Sequence, residues 1–318
     1  MHWRTAAKIV MVPLIYGLVM RLIYGIDSLG KLYGVMTLGF LIMVPLVMGM
    51  LTVYLSPPHL ADKLLYRNLA PWGMVTLFLI VTLLLDWEGW ACWMIVFPAF
   101  GIVAEIGGLL GHELQLRQRN RNVSFIALFL LPFIISPIEK SLPKSQGEFE
   151  ARTFIDIKAD PATIWSHVTR VKEISAREDR GKLTNFLQFP RPVKAELDTA
   201  AVGGYREAIF TKGLVFHETV LEYQDRKKMV FSITANPYEI PSATMDKHVV
   251  VGGEFFNVLN GTYEMEQLPD GKQRLHLYSH FSLSTTFNWY AGLWARWIML
   301  DIQNNILEVI KSRTDSGF

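Results

Sequence analysis

The chain has 318 residues, of which 51% are hydrophobic and only 19% are charged, and its mean hydropathy is +0.24. This composition excludes a wholly soluble chain and predicts membrane spans. The formal net charge of +2 provides no basic surface for DNA or RNA, and the single cysteine, Cys92, excludes an intrachain disulfide.

The charged residues divide the sequence into two unlike parts. Residues 1–147 carry 11 Lys and Arg against 7 Asp and Glu, whereas residues 148–318 carry 20 against 22. We therefore predict a transmembrane helical domain over residues 1–138 and a globular domain over residues 148–318. The segment between them, residues 139–147, contains the Pro, Ser and charged residues of a linker. Because this linker is short, we expect the globular domain to stay close to the bilayer.

Five apolar stretches are candidate membrane spans, because about 20 apolar residues are needed to cross a bilayer. They are Ile9–Ile26, Tyr33–Leu55, Leu69–Leu85, Trp90–Gly111 and Val123–Ile138. The fifth is only marginally long, since it would reach ~24 Å at 1.5 Å per residue, and it contains Pro132 and Pro137. The sequence therefore predicts a membrane bundle of about five helices.

The positive residues of the loops predict the orientation of this bundle. If all five stretches cross, Arg4, Lys8, Lys63, Arg67, Arg117, Arg119 and Arg121 fall on one side, and only Lys31 lies in the loops of the other. The positive-inside rule then places the N-terminus in the cytoplasm and the C-terminal domain in the periplasm or outside the cell. A re-entrant fifth segment would instead leave the domain in the cytosol.

Two ionisable residues lie inside the predicted spans. Arg21 is expected to extend outward and meet Asp86 or Glu88. Glu105 lies among glycines that permit close helix contact, and a buried acid bonded to a neighbouring helix is as consistent with its position as a proton path. His112 and Glu113 are adjacent, but two ligands are too few for a metal site. We therefore predict no metal and no cofactor.

The second part of the chain has the pattern of an α+β domain. Phe149–Ile157 predicts a strand, and Asp160-Pro161 predicts the start of a helix. Further strands are predicted over residues 195–197, 205–211, 214–223, 229–234, 248–267 and 274–284, mostly joined by turns short enough for antiparallel pairing. A long amphipathic helix over residues 288–311 closes the chain.

This order resembles the START-like, or SRPBCC, superfamily of helix-grip domains over residues 148–313. The resemblance rests on Ile155-x-Ile157-x-Ala159-Asp160-Pro161-x-x-Ile164-Trp165, on the Val202-Gly203-Gly204-Tyr205-Arg206 turn before a strand, and on the C-terminal helix. It implies a curved antiparallel sheet around that helix. It also implies an apolar cavity between the two that holds a lipid or another hydrophobic small molecule; some relatives are cyclases.

The residues predicted to bind this ligand combine one polar anchor with apolar and aromatic side chains. They are Arg206, Phe216, His217, Phe231, Leu277, Phe281, Leu293 and Trp297. Arg206 is as consistent with a surface charge as with a headgroup contact, and His217 with a structural role in its strand. Strand alternation sends His276 and His280 away from the cavity.

Three functions are consistent with these features. The first is a membrane-anchored protein that binds a lipid or other hydrophobic small molecule, with the bilayer as its other partner and with transfer to or from it. The second is a cyclase or hydratase, although no catalytic constellation can be singled out. The third is a membrane sensor or scaffold whose spans bind a protein partner that the sequence does not identify.

Overall fold

The computed structural model describes residues 3–118, 126–142, 146–235 and 251–315. The chain forms two units, Met1–Lys144 and Ser145–Phe318. Among the described residues, the regular secondary structure of the first unit is all helical, and the second unit combines one sheet with helices.

The described residues of the N-terminal unit form six α-helices. They are α1 (Trp3–Tyr24), α2 (Val44–Tyr54), α3 (Pro58–Ala61), α4 (Leu64–Leu84), α5 (Trp90–Gln118) and α6 (Ile126–Ser141). A 3₁₀ turn covers Asp27–Leu29, and a π-helix over Gly39–Met43 leads into α2. Within the described residues, three helices are long and apolar enough to cross a membrane: α1, α4 and α5.

The other two predicted spans are shorter than the sequence suggested. The second was predicted from Tyr33, but residues 33–37 are irregular backbone, turn and bend, and the helical segment Gly39–Tyr54 has too few residues for a full crossing. Gly30 and Gly34 precede it, and glycine is a poor helix former. The helix in the fifth segment, α6, has 16 residues, and positions 123–125 lie outside the described residues. Five full spans are therefore not observed.

Close contact of backbones holds α2 against α5. A Cβ atom added to Gly49 would overlap the backbone of Ala104, and one added to Gly107 or Gly111 would overlap the carbonyl of Leu46 or Met50. Small residues permit this approach, as predicted for the glycines around Glu105.

The two ionisable residues inside the predicted spans, Arg21 and Glu105, both have partners. Arg21 pairs with Glu88 and donates a further hydrogen bond to the carbonyl of Trp87 at 2.9 Å. The Glu105 carboxylate accepts a hydrogen bond of 3.0 Å from the indole of Trp72 on α4. Glu105 therefore links two helices.

An eight-stranded antiparallel sheet, curved into a half-barrel, forms the C-terminal unit. Its strands are β1 (Gly147–Ile157), β2 (Arg170–Val171), β3 (Pro192–Leu197), β4 (Tyr205–Phe210), β5 (Val215–Gln224), β6 (Lys228–Ala235), β7 (Phe256–Gln267) and β8 (Gln273–Leu283). Their spatial order is β1-β8-β7-β6-β5-β4-β3-β2. The strand predicted from residue 248 begins only at Phe256, after positions 248–250, which lie outside the described residues.

The pairing of β5 with β6 contains a bulge. Val220 pairs with Phe231 and Glu222 with Val230, so that Leu221 is an extra residue. Leu221 is exposed, whereas Val220 is buried. The bulge therefore shifts the phase of the strand, and Tyr223 lies opposite the buried Met229.

Three helices complete this unit: α7 (Pro161–Thr169), the short α8 (Leu183–Phe186) and α9 (Asn288–Asp315). The Asp160 carboxylate caps α7, as predicted, by accepting from the amides of Ala162 and Thr163. Helix α9 packs on β1 and β8, where buried Gln303 donates to the carbonyl of Ala151 and to Ser279 Oγ, both at 3.1 Å. The predicted sheet and closing helix are thus both observed.

Candidate functional site

Two charged side chains of neighbouring strands face the inside of the curved sheet. The alternating burial of β4 turns Arg206, Ala208 and Phe210 inward, and in β5 Glu218 and Val220 do the same. The antiparallel register places Arg206 directly opposite Glu218. Directly opposed residues on one face bring their side chains together.

Arg206 and Glu218 form a buried ion pair. Arg206 Nη1 lies 3.1 Å from Glu218 Oε2, and the two side chains are only 4% and 6% exposed. Within the described part of the chain neither Arg206 Nε nor Glu218 Oε2 has a hydrogen-bond partner. Buried polar atoms are almost always paired, so this arrangement has unused hydrogen-bonding capacity.

Aromatic rings surround the guanidinium group. Arg206 Cζ lies 5.3 Å from the ring centre of Phe231 on β6 and 5.6 Å from that of Tyr263 on β7. The two rings stack on each other with their centres 5.9 Å apart. A cation within ~6 Å of an aromatic face is attracted to it, and the attraction grows as water is removed.

The surroundings change the acidity of this group of residues. Burial raises the pKa of the Glu218 carboxyl to about 7, although the Arg206 guanidinium opposes the shift. Burial also raises the pKa of the Tyr263 hydroxyl. Near neutral pH the site therefore holds a fixed positive charge beside a carboxyl group that can gain or lose a proton.

The structure brings three of the predicted ligand-binding residues together. Arg206 lies against Phe231, and Phe231 belongs to the same apolar cluster as Leu277, which pairs with Tyr263 across β7 and β8. Phe216 also faces inward, but it packs edge-on against Phe210 with ring centres 4.9 Å apart. The inward orientation of Arg206 excludes its alternative role as a surface charge.

Phe281 occupies a second apolar cluster. Its ring stacks on that of Phe149 at 5.6 Å, and it packs with Val258 and Leu283 toward the start of β1. The apolar face predicted for β8 is confirmed, because its odd-numbered residues are buried in regular alternation. His276 and His280 lie on the other face.

The structure does not bring His217, Leu293 or Trp297 to this place. His217 lies on the opposite face of β5 from Glu218 and shares a hydrogen bond with the Tyr205 hydroxyl. Leu293 and Trp297, on α9, are 44% and 45% exposed.

Two residues of the site were missed as ligand contacts. Glu218 was not predicted because the simple alternation of residues 214–222, which ignores the bulge, gives neither side of β5 a wholly apolar face. Its place could have been found from the short turn at Lys212-Gly213, since a hairpin closed there aligns residue 218 with residue 206. No local sequence pattern identifies Tyr263 as part of the site, because only the register of β7 against β6 and β8 brings it close to Arg206.

Comparison with known proteins assigns no family to the chain. No protein-family model matches it, and no curated protein does. In the part of the chain that the structure describes, no cluster of three or more His, Cys, Asp or Glu could hold a metal ion.

Several solved structures match about half of the chain. One is a structural-genomics protein from Nitrosospira multiformis, 12% identical, with 54% of this chain and 100% of that chain covered and a TM-score of 0.31. Another, from Rhizobium leguminosarum, is 12% identical over 54% and 99% of the two chains, with a TM-score of 0.32. A protein of the dynemicin biosynthetic locus is 15% identical over 53% of this chain, with a TM-score of 0.29; the chain spans about half (48%) of its length.

The architecture itself defines a class. The C-terminal unit is a curved antiparallel sheet with a long C-terminal helix packed on two of its strands, the arrangement of helix-grip proteins.

Proposed function

We propose that this chain is a membrane-anchored protein of the START-like type that binds a lipid or another hydrophobic small molecule inside its C-terminal domain. One observation carries the proposal. The Arg206–Glu218 pair is buried among apolar side chains, yet Arg206 Nε and Glu218 Oε2 lack hydrogen-bond partners among the described residues. A ligand with a polar end would supply them.

The surrounding residues suggest how such a ligand is held. The apolar inner face would bury acyl or ring surface at ~25 cal/mol per Å². Arg206 suits a carboxylate, phosphate or carbonyl group, and Glu218 would accept a hydrogen bond from a hydroxyl. The expected ligand is therefore amphiphilic, with a small polar end against Arg206 and an apolar body along Phe231 and Leu277.

Anchoring is supported by the three apolar helices and by the short connection between the units. Helix α6 ends at Ser141 and β1 begins at Gly147, so at ~3.5 Å per residue the connection reaches at most about 20 Å. A domain held so close to a bilayer can exchange a lipid-like ligand with it. This favours direct transfer of the ligand to or from the bilayer over its transport through bulk water.

We further propose that the N-terminus is cytoplasmic and that the C-terminal domain lies in the periplasm or outside the cell, in the plasma or inner membrane. The loop charges support this orientation provided that the helical segment Gly39–Tyr54 and α6, which are shorter than a full span, also cross the bilayer. A C-terminal alkaline phosphatase fusion should be active and a green fluorescent protein fusion dark. The opposite pair of results would place the domain in the cytosol.

The ligand is expected to be visible by native mass spectrometry of the full-length protein released from detergent. Wild-type protein should carry a bound species, and the double variant Arg206→Met/Glu218→Leu should retain at least about tenfold less, corresponding to a loss of ~1.4 kcal/mol or more. A matched control is the Asp156–Arg274 pair on the outer face, with an Arg274 Nε to Asp156 Oδ1 distance of 2.7 Å. Arg274→Met/Asp156→Leu should retain the ligand, and equal occupancy in both variants would refute the proposed site.

A second candidate function is a cyclase or hydratase acting on a hydrophobic substrate. It is favoured by the raised pKa of Glu218, which suits a general acid or base near neutral pH, beside a guanidinium that can polarise a carbonyl. If this function holds, the species bound to Glu218→Gln should be the unreacted substrate and should differ in mass or in retention time from that bound to wild type. An identical species in both would favour binding alone.

A further inference from the structure

The N-terminal half of α9 presents an exposed apolar stripe. Trp289 is 79% exposed, and Leu293 and Trp297 are 44% and 45% exposed. These residues are spaced four apart, so they lie on one face of the helix. Large apolar side chains grouped in this way indicate a surface that has a partner.

Two neighbouring aromatic residues, Tyr290 and Trp294, contact the tryptophans of this stripe. Trp297 contacts Trp294 edge-on with ring centres 5.5 Å apart, and Trp289 contacts Tyr290 in the same way at 5.6 Å. Further along the helix the exposed positions become polar, at Asn304 and Glu308. The exposed apolar surface is therefore confined to one end of α9. A helix face that met only water would be polar along its whole length.

That end of α9 lies where the chain arrives from the membrane unit. A Cβ atom on Gly147, the first residue of β1, would lie 3.2 Å from Asn288 Nδ2, at the first residue of α9. Ser141, the last residue of α6, is only six positions before Gly147. The connection therefore attaches the domain at the same end as its exposed tryptophans.

We propose that the N-terminal half of α9 docks into the lipid–water interface of the bilayer crossed by the chain's own apolar helices. Trp and Tyr favour this interface because one part of each ring is apolar and the other can hydrogen-bond to water or headgroups. The proposal rests on the anchoring part of the proposed function and is independent of ligand binding. Helix α9 covers the inner face of the sheet. Docking would hold this helix at the membrane from which a ligand comes.

Depth measurement by spin labelling tests this docking in the full chain. Leu293→Cys is made in a Cys92→Ser background, labelled with a nitroxide and reconstituted in phosphatidylcholine nanodiscs. Glu308→Cys, on the polar part of the same helix, is the matched control. We expect the label at position 293 to collide mainly with oxygen, which concentrates in lipid, and the label at 308 mainly with a water-soluble nickel complex.

Two results would overturn the proposal. Preferential collision with nickel at 293, as at 308, would show that the stripe faces water. Exclusion of both reagents at 293 would show that a protein surface, such as a second copy of the chain, covers it.

A second variant separates docking from folding and from ligand binding. Adding Trp289→Ser and Trp297→Ser to the labelled protein should lower the ratio of docked to undocked domain about tenfold, with the unfolding temperature of the domain unchanged. Adding Arg206→Met/Glu218→Leu should leave the oxygen preference at 293 intact even where the ligand is lost. An unchanged ratio after loss of both tryptophans would contradict docking through this stripe.

Discussion

Replacing Glu218 by glutamine is expected to leave the free energy of unfolding of the C-terminal domain nearly unchanged at pH 4 and to raise it by about 3 kcal/mol over wild type at pH 8. The amide keeps the shape of the side chain and stays neutral, which is the form of the Glu218 carboxyl that burial favours. Because the wild-type carboxyl loses its proton as the pH rises and the amide does not, the difference should develop between about pH 4.5 and pH 7. Amide hydrogen exchange of β5 and β6 peptides in the full-length protein would measure it.

Arg206→Met should behave differently, because the remaining carboxyl can become neutral. At pH 5 Glu218 stays protonated and the loss should be small, whereas at pH 8 an unpaired buried carboxylate should cost about 3 kcal/mol or more. The paired variant Arg206→Met/Glu218→Leu removes both charges and should recover most of the stability. A loss at pH 5 as large as that at pH 8 would mean that the carboxyl is not neutralised by burial.

The wild-type protein should show the same titration in a weaker form. The pKa of Glu218 is raised from an ordinary 4.5 to about 7 in the folded state. Between these values the folded state binds more protons than the unfolded state, so stability falls as the pH rises. The contribution is fully present below about 4.5 and lost above about 7. It should be absent in Glu218→Gln.

Gly107→Leu is expected to disrupt the N-terminal unit, at a cost of about 3 kcal/mol. A side chain at this position would overlap the carbonyl of Leu46, so α2 and α5 would have to separate along their shared surface. A lower unfolding temperature of the detergent-extracted protein and a lower yield would report the loss.

A matched control is available in α4. Apart from the neighbouring backbone of its own helix, no atom of the described residues lies within 4 Å of the position that a Cβ on Gly73 would take. Gly73→Leu adds the same apolar side chain to a helix of the same unit and should leave the unfolding temperature nearly unchanged. Similar losses in both variants would indicate that added volume, and not the α2–α5 contact, is responsible.

The fold of the C-terminal domain was largely predictable from the sequence, because its signals are local. The Asp160-Pro161 pair starts α7, and the alternation of β8 identifies its buried face without knowledge of any neighbour. The limits of the second span were less predictable. Apolar composition does not distinguish a helix from an apolar non-helical segment, and residues 33–37 are not helical.

The candidate site was only half predictable. Arg206 was recognised by its chemistry, but its partners Glu218 and Tyr263 come from two other strands and depend on sheet register. Leu293 and Trp297 were predicted to bind the ligand, and the structure leaves them 44% and 45% exposed. Their helical spacing indicates one face, but which face is buried depends on how α9 packs on β1 and β8.

The bulge at Leu221 adds one residue to β5 without changing the partners of the residues on either side of it. Because the side chain of Leu221 is exposed, many residue types can stand there. Deleting the position would join Val220 directly to Glu222 and turn the bulge into a regular ladder, because Val220, Glu222 and Tyr223 would keep their partners Phe231, Val230 and Met229. Relatives that share this domain should therefore vary in the identity of this residue and in whether it is present at all, while Glu218 and Tyr223 keep facing the inside of the sheet.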